Sequence, residues 1–337
     1  MLAAALAIAL SVFVIALAPA QSLAPIRVSY QPGMYWSLPF QVATEQGFWT
    51  QAGLKPQFSA FPYGVPQVEA GAEDGWDVGG IGSAPAILGA TRYGLLTIGI
   101  SNDESLTNTV MVRGNAAATW LKRPARDLRG RKVLVTPGST GEYVLLAYLG
   151  TLGLSAQDVQ IVPMDQAAIV RAFAGEDGDV FVLWAPYLYS ALARGGKVLA
   201  NGSTAGVTVP GALVAAPRFA REHPEIVARF LRAYFRAFAW QRANRGPALD
   251  LMARENAAVG VKLDKRWLDQ AFSTRPVWGI PGQLGLLTRK DDQPSVADRW
   301  FSEVGAYFLA AGAIKANPDP KSYITDEYMK LAAGLDR

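Results

Sequence analysis

The sequence predicts an α/β protein of two lobes joined by a hinge of two crossover segments. From residue 26 onward, short β-prone runs alternate with stretches of helical periodicity, the pattern of a mostly parallel sheet with helices on both faces. A second unit of the same kind restarts after the proline-containing connection 115–127. A late apolar run, TVPGALVA at 208–215, reads as a strand that returns to the first unit. The chain is thus expected to cross between lobes near 112–116 and near 202–208, and two crossings make a hinge with a cleft beside it.

Each element has its own signal. IRVSY at 26–30 is a first strand, 31–37 a loop, and 38–47 a short helix ended by glycine. Residues 53–56 lead to a second strand at 57–60, and DVGGI at 77–81 is a third. The turn GSAP at 82–85 opens a helix over 86–93, with proline near its first position. Strands at 95–100 and 109–112 flank the polar loop 101–107. The second unit has strands at 132–135, 160–162 and 179–183, the last followed by Trp184. An amphipathic helix over 224–245 turns Val227, Phe230, Leu231, Tyr234, Phe235 and Phe238 inward. Arg221, Arg229, Arg232 and Arg236 form its solvated face, and 264–335 reads as helices and loops.

The first 24 residues are an uncharged run rich in Ala, Leu, Ile and Val, with small residues at cleavage spacing in Ala18-Pro19-Ala20 and Ser22-Leu23-Ala24. They are expected to be a secretory signal peptide. No Lys or Arg precedes the apolar run and Arg27 is the first charged side chain, so an uncleaved anchor is the alternative. The expected division is 1–24 signal peptide, 25–112 with 206–337 as lobe 1, and 113–205 as lobe 2. The 337 residues are half hydrophobic, enough to bury a real core, and the absence of cysteine suits an oxidising compartment. A net charge of +4, from 32 basic against 28 acidic residues, is too mild for a nucleic-acid partner and slightly favours small anions.

Catalytic chemistry is poorly supplied. His223 is the only histidine and stands at a helix start, where capping explains it. One His and no Cys leave no ordinary zinc site or thiol nucleophile. Glu176, Asp177 and Asp179, and also Asp291 and Asp292, read as solvated turn acids. No metal, cofactor or catalytic residue is expected. Recognition chemistry is better supplied. Residues 130–153, GRKVLVTPGSTGEYVLLAYLGTLG, form a strand, a small-residue loop and a helix capped by Ser139 or Thr140. The free amides of that first turn, the helix dipole and two hydroxyls make a candidate anion receptor without a charged side chain. Loops at the carboxyl ends of other strands offer Gln31, Tyr35, Trp36, Ser37, Gly82, Ser83, Ser101 and Asn102, with Gly141 and Trp184 in the second lobe.

These residues carry a family resemblance. YQPGMYWSLPFQVATEQGFWTQAGL, DVGGIGSAPAILGA, GRKVLVTPGSTGEYVLLAYLGTLGL, MDQAAIVRAFAGEDGDVFVLWAPY and PDPKSYITDEYMKLA together resemble the periplasmic substrate-binding proteins of ABC importers for aliphatic sulfonates, taurine and nitrate. The resemblance implies a two-lobed type II periplasmic binding fold, a small-molecule anion ligand, and delivery to a membrane permease driven by an ATPase, with the protein a periplasmic monomer. It implies that Ser139-Thr140-Gly141 contacts the anionic head, that Gly82-Ser83 is its partner from the first lobe, and that Tyr35, Trp36, Ser37 and Trp184 line the cleft. Two departures change the cleft's polarity: Ala185 stands where relatives often carry an acid, and Ser83 where some carry a charge. Asp103 and Glu104 read first as solvated loop acids, the alternative being that one of them meets an ammonium group in a zwitterionic ligand. Two other classes compete: an enzyme on this scaffold resembling pyrimidine-precursor synthases, which needs a cofactor and a reactive histidine in the cleft, and a membrane-anchored sensor.

Overall fold

A computed structural model describes residues 22–116 and 122–335. Residues 1–21 of the expected leader and the centre of the 115–127 connection lie outside the described residues. Among the described residues there are ten strands: β1 (Ala24–Tyr30), β2 (Leu54–Ala60), β3 (Val78–Gly82), β4 (Leu96–Asp103), β5 (Asn108–Val112), β6 (Lys132–Val135), β7 (Gln160–Pro163), β8 (Val180–Trp184), β9 (Lys197–Asn201) and β10 (Pro210–Ala215). They form two five-stranded sheets, ordered β2-β1-β3-β10-β4 and β7-β6-β8-β5-β9.

The two sheets repeat one plan. In the first, β1 pairs in parallel with β2 and β3, while β10 runs antiparallel between β3 and β4. In the second, β6 pairs in parallel with β7 and β8, while β5 runs antiparallel between β8 and β9. Each sheet's antiparallel strand is therefore the one that follows a crossing. β3, β5, β8 and β10 are buried along their whole length, as suits strands covered on both faces.

One expected crossing moves. β5 hydrogen-bonds to β8 and β9, so the chain enters the second lobe through residues 104–107, not near 112–116, and residues 108–112 belong to lobe 2. Apolar patterning marks β4 and β5 as strands but is the same whichever sheet receives them, and the four-residue connection between them imitates a hairpin. The second crossing falls at 202–209, as expected, between β9 and β10. Smaller differences are that β1 begins at Ala24 and that Trp184 ends β8 instead of following it.

The first crossing is tied to the body of lobe 1 by a buried ion pair. Arg275 Nε donates to Glu104 Oε1 at 2.7 Å, with both side chains almost wholly buried. Asn102 Nδ2 donates to the same oxygen at 2.6 Å, and the Thr107 hydroxyl donates to Glu104 Oε2. Asp103 takes the Ser105 amide at 2.8 Å. Both acids are consumed by the hinge, which corrects their alternative use against a ligand ammonium, and the buried Glu104 is not a solvated loop acid.

The helix Pro224–Ala243 turns the expected apolar side chains inward. Tyr234 on it packs 5.3 Å from Phe40 and donates to the Trp36 carbonyl at 3.0 Å, so this helix seats the loop after β1. Its arginines are less free than a solvated face implies. Arg229 and Arg232 are half-buried, with Arg229 reaching the Ala52 carbonyl and Arg232 the Leu335 carbonyl, while Arg236 lies 4.1 Å from the Phe48 ring centroid. Across the cleft, the second-lobe helix Thr140–Thr151 packs against two first-lobe helices, Ser83–Tyr93 and Val296–Ala310, with the Tyr143 and Tyr307 rings edge to face at 5.3 Å. The lobes are in contact.

Candidate functional site

Two helix N-termini face each other between the lobes. β3 ends at Gly82 and turns directly into the helix Ser83–Tyr93; β6 leads through a glycine turn into the helix Thr140–Thr151. The first-turn amides of each have no acceptor within their own helix, and both dipoles present positive ends to one small space. The termini approach closely because residue 82 is glycine: a Cβ there would lie 2.9 Å from Thr140 Cγ2.

That small space is lined by Gln31, Trp36 and Gly82 from lobe 1 and by Ser139, Thr140 and Trp184 from lobe 2, six of the expected site residues. Met34, Gly64 and Pro85 complete it. Trp36 fits over β3 and β10 because a Cβ at Gly80 would stand 2.8 Å from its Cδ1 and one at Gly211 3.2 Å from its Cε3. Gly141 lies beneath Trp184, whose Cε3 is 3.4 Å from the position of its absent Cβ.

Two residues lining the space, Trp36 and Trp184, carry an indole Nε1 that is buried without a hydrogen-bond partner, and so is Ser83 Oγ in the helix turn that follows Gly82. Buried polar groups are nearly always satisfied, and leaving one unpaired costs about 1–3 kcal/mol. Unpaired donors from two lobes, beside a space between two positive helix ends, suit an acceptor-rich negative group.

The neighbouring hydroxyls are already used. Ser139 Oγ donates to the Thr136 carbonyl at 2.7 Å and accepts from the Glu142 amide at 3.2 Å, so it caps its helix. Thr140 Oγ1 donates to Asn108 Oδ1 at 3.0 Å. The two hydroxyls expected to reach the anion are thereby committed to the protein, while the amides of Thr140 and Gly141, in the first turn, have no acceptor within their helix. Glu142 takes the Gly138 amide at 2.7 Å; burial pushes its carboxyl above the usual range, against the opposing effect of that amide.

Other expected residues serve the frame. Ser37 donates to the Gln31 carbonyl at 2.8 Å, and Asn102 belongs to the Glu104 network. Tyr35 turns away toward Phe238, Phe272 and Arg275, whose guanidinium lies 4.8 Å from its ring centroid. These three are not brought to the chamber. Sequence reasoning missed the braces. Gln67 accepts from Gln31 at 2.9 Å and donates to Ser29 and to the Gly80 carbonyl; Gln166 accepts the Trp184 amide at 3.0 Å and donates to Val182 and Thr136. A lone polar residue on an apolar helix face was the available signal for both. His223 is exposed at the start of the Pro224–Ala243 helix, with its ring 4.9 Å from Phe219. Among the described residues no cluster suits a metal ion, and no helix is long and apolar enough to cross a membrane.

The "NMT1/THI5 like" family profile matches residues 36–248. A protein of Bacillus subtilis assigned as aliphatic sulfonates-binding is 32% identical over 237 residues, 68% of this chain and 69% of its own. The periplasmic aliphatic sulphonate binding protein SsuA of Escherichia coli superposes with a TM-score of 0.73 at 22% identity, covering 89% of this chain and 92% of its own. The alkanesulfonate-binding protein SsuA of Xanthomonas axonopodis pv. citri, bound to MOPS, superposes with a TM-score of 0.73 at 21% identity, covering 90% and 98%.

Proposed function

We propose, from the premise that this chain belongs to the NMT1/THI5-like family, that it is the substrate-binding protein of an ABC importer and captures a small organic anion, a sulfonate or related oxyanion, in its interlobe cleft. It is a binding protein, as its relatives are. One observation carries the reading: two helix N-termini from opposite lobes meet at a chamber lined by two indoles whose Nε1 groups are buried with no protein acceptor, with the unpaired Ser83 hydroxyl in the adjoining turn. A sulfonate supplies three acceptor oxygens and one delocalised charge, which that set of donors fits without a formal cation.

The residues in contact with the head are Ser83, Trp36, Trp184 and the amides of Thr140 and Gly141. Gln31 and Gly82 shape its walls. The loaded protein closes about residues 104–107 and 202–209, docks on a membrane permease and releases the ligand under the action of its ATPase. We take the working form as a periplasmic monomer exported by its amino-terminal segment.

A thermal-shift screen over sulfonates, nitrate, carboxylates and phosphonates tests this. A ligand at about 100 times its Kd adds roughly 2.7 kcal/mol of stability, a readily seen rise in Tm. The expected result is a shift with at least one sulfonate that shrinks to about half on Ser83→Ala. A chain stabilised by none of these anions, or one that turns a bound compound over, refutes the proposal.

A further inference from the structure

We infer that the guest's body is an aromatic or bulky apolar group; this deepens the anion-receptor reading and rests on it. Met34, Trp36 and Trp184 are almost fully buried, yet they form an apolar cluster of their own, apart from the continuous core. Tyr63 and Tyr187 pack against it. Met34, Trp36 and Tyr63 come from lobe 1, and Trp184 and Tyr187 from lobe 2, so the cluster exists only where the lobes meet.

The geometry makes this a wall for a ligand. The head-group donors Trp36 Nε1 and Trp184 Nε1 belong to the same indoles, so a molecule held by its oxyanion there places its body against Trp and Tyr rings. Flat rings offer such a body large contact area at little entropic cost. Tyr187 also borders a wider space between Pro32, Phe61 and Pro62, which Asp165 lines as well while accepting from the Ala168 amide as the cap of its helix. None of the residues lining the head-group chamber is acidic.

Calorimetry with the purified protein and three probes, ethanesulfonate, taurine and benzenesulfonate, tests the inference. Benzenesulfonate should bind about tenfold tighter than ethanesulfonate, since ring contacts add to area burial, and should perturb tryptophan fluorescence. Tyr187→Ala should shrink the benzenesulfonate preference about tenfold, and Met34→Ala offers the same comparison if that variant folds poorly. Ethanesulfonate or taurine equalling or exceeding benzenesulfonate overturns this inference and leaves the anion receptor standing. Binding of none of the three overturns the receptor itself.

Discussion

Ser83 shows how the site trades stability for affinity. Its hydroxyl is buried without a protein partner, so Ser83→Ala removes an unpaired polar group while deleting a donor to the guest. We expect the ligand-free Tm to hold or rise while affinity falls about tenfold, the worth of a hydrogen bond to a charged group. Calorimetry and thermal melts on the one variant read both signs. Thr140→Val should behave differently. Its hydroxyl serves Asn108, so the substitution leaves a buried carbonyl oxygen unpaired and costs about 1–3 kcal/mol of stability without ligand. A loss of affinity with unchanged urea denaturation would place that hydroxyl on the guest instead.

Glu142 sets a pH dependence at the same scale. Burial holds its carboxyl above the ordinary glutamate range, near pH 4.3 or so, and so the folded protein binds its proton more tightly than the unfolded chain. Its favourable contribution is full below the unfolded value and is lost as pH rises through the raised folded value. A carboxylate in the helix's first turn also opposes an incoming anion. Affinity for a sulfonate should therefore fall over that acidic window, and Glu142→Gln should flatten the profile and tighten binding at neutral pH. Titration calorimetry from pH 4 to 8 or thereabouts measures it.

At the scale of elements, the approach of two helix ends depends on one absent side chain. Gly82→Ala puts a methyl group 2.9 Å from Thr140 Cγ2 and should hold the lobes apart, weakening ligand binding while each lobe stays folded. Small-angle scattering with and without ligand should show closure impaired. The first crossover relies on Glu104 instead. Glu104→Ala strands the buried Arg275 charge and should cost about 3–5 kcal/mol by urea denaturation, whereas replacing both partners with apolar residues of similar volume should restore most of it. A small loss from the single substitution would mean the hinge does not depend on this pair.

For the whole molecule, the amino-terminal boundary follows from the sheet. Ala24 pairs with Leu54 in β1 and its amide bonds to the Gly53 carbonyl at 2.9 Å, so cleavage after Ala24 removes the strand's first residue while cleavage after Ala20 spares it. Amino-terminal sequencing of the exported protein should begin at Gln21; recovery of the intact leader on a membrane-bound protein would favour the anchored sensor.

Local patterns made most elements legible, because periodicity, caps and glycine stops are properties of neighbouring residues: every strand but β9, the helix over 140–151 with a cap at Ser139 or Thr140, and the inner face of the long helix were readable. So was the placing of Gly82, Trp36, Thr140 and Trp184 at strand ends, where α/β folds keep their ligands. Which sheet receives β5, which hydroxyls are consumed by Thr136 and Asn108, and that Tyr35 and Glu104 turn to Arg275 were decided only by tertiary structure. A side chain's partner depends on what distant segments bring within about 3 Å of it, and neither hydrophobic period nor residue spacing carries that distance.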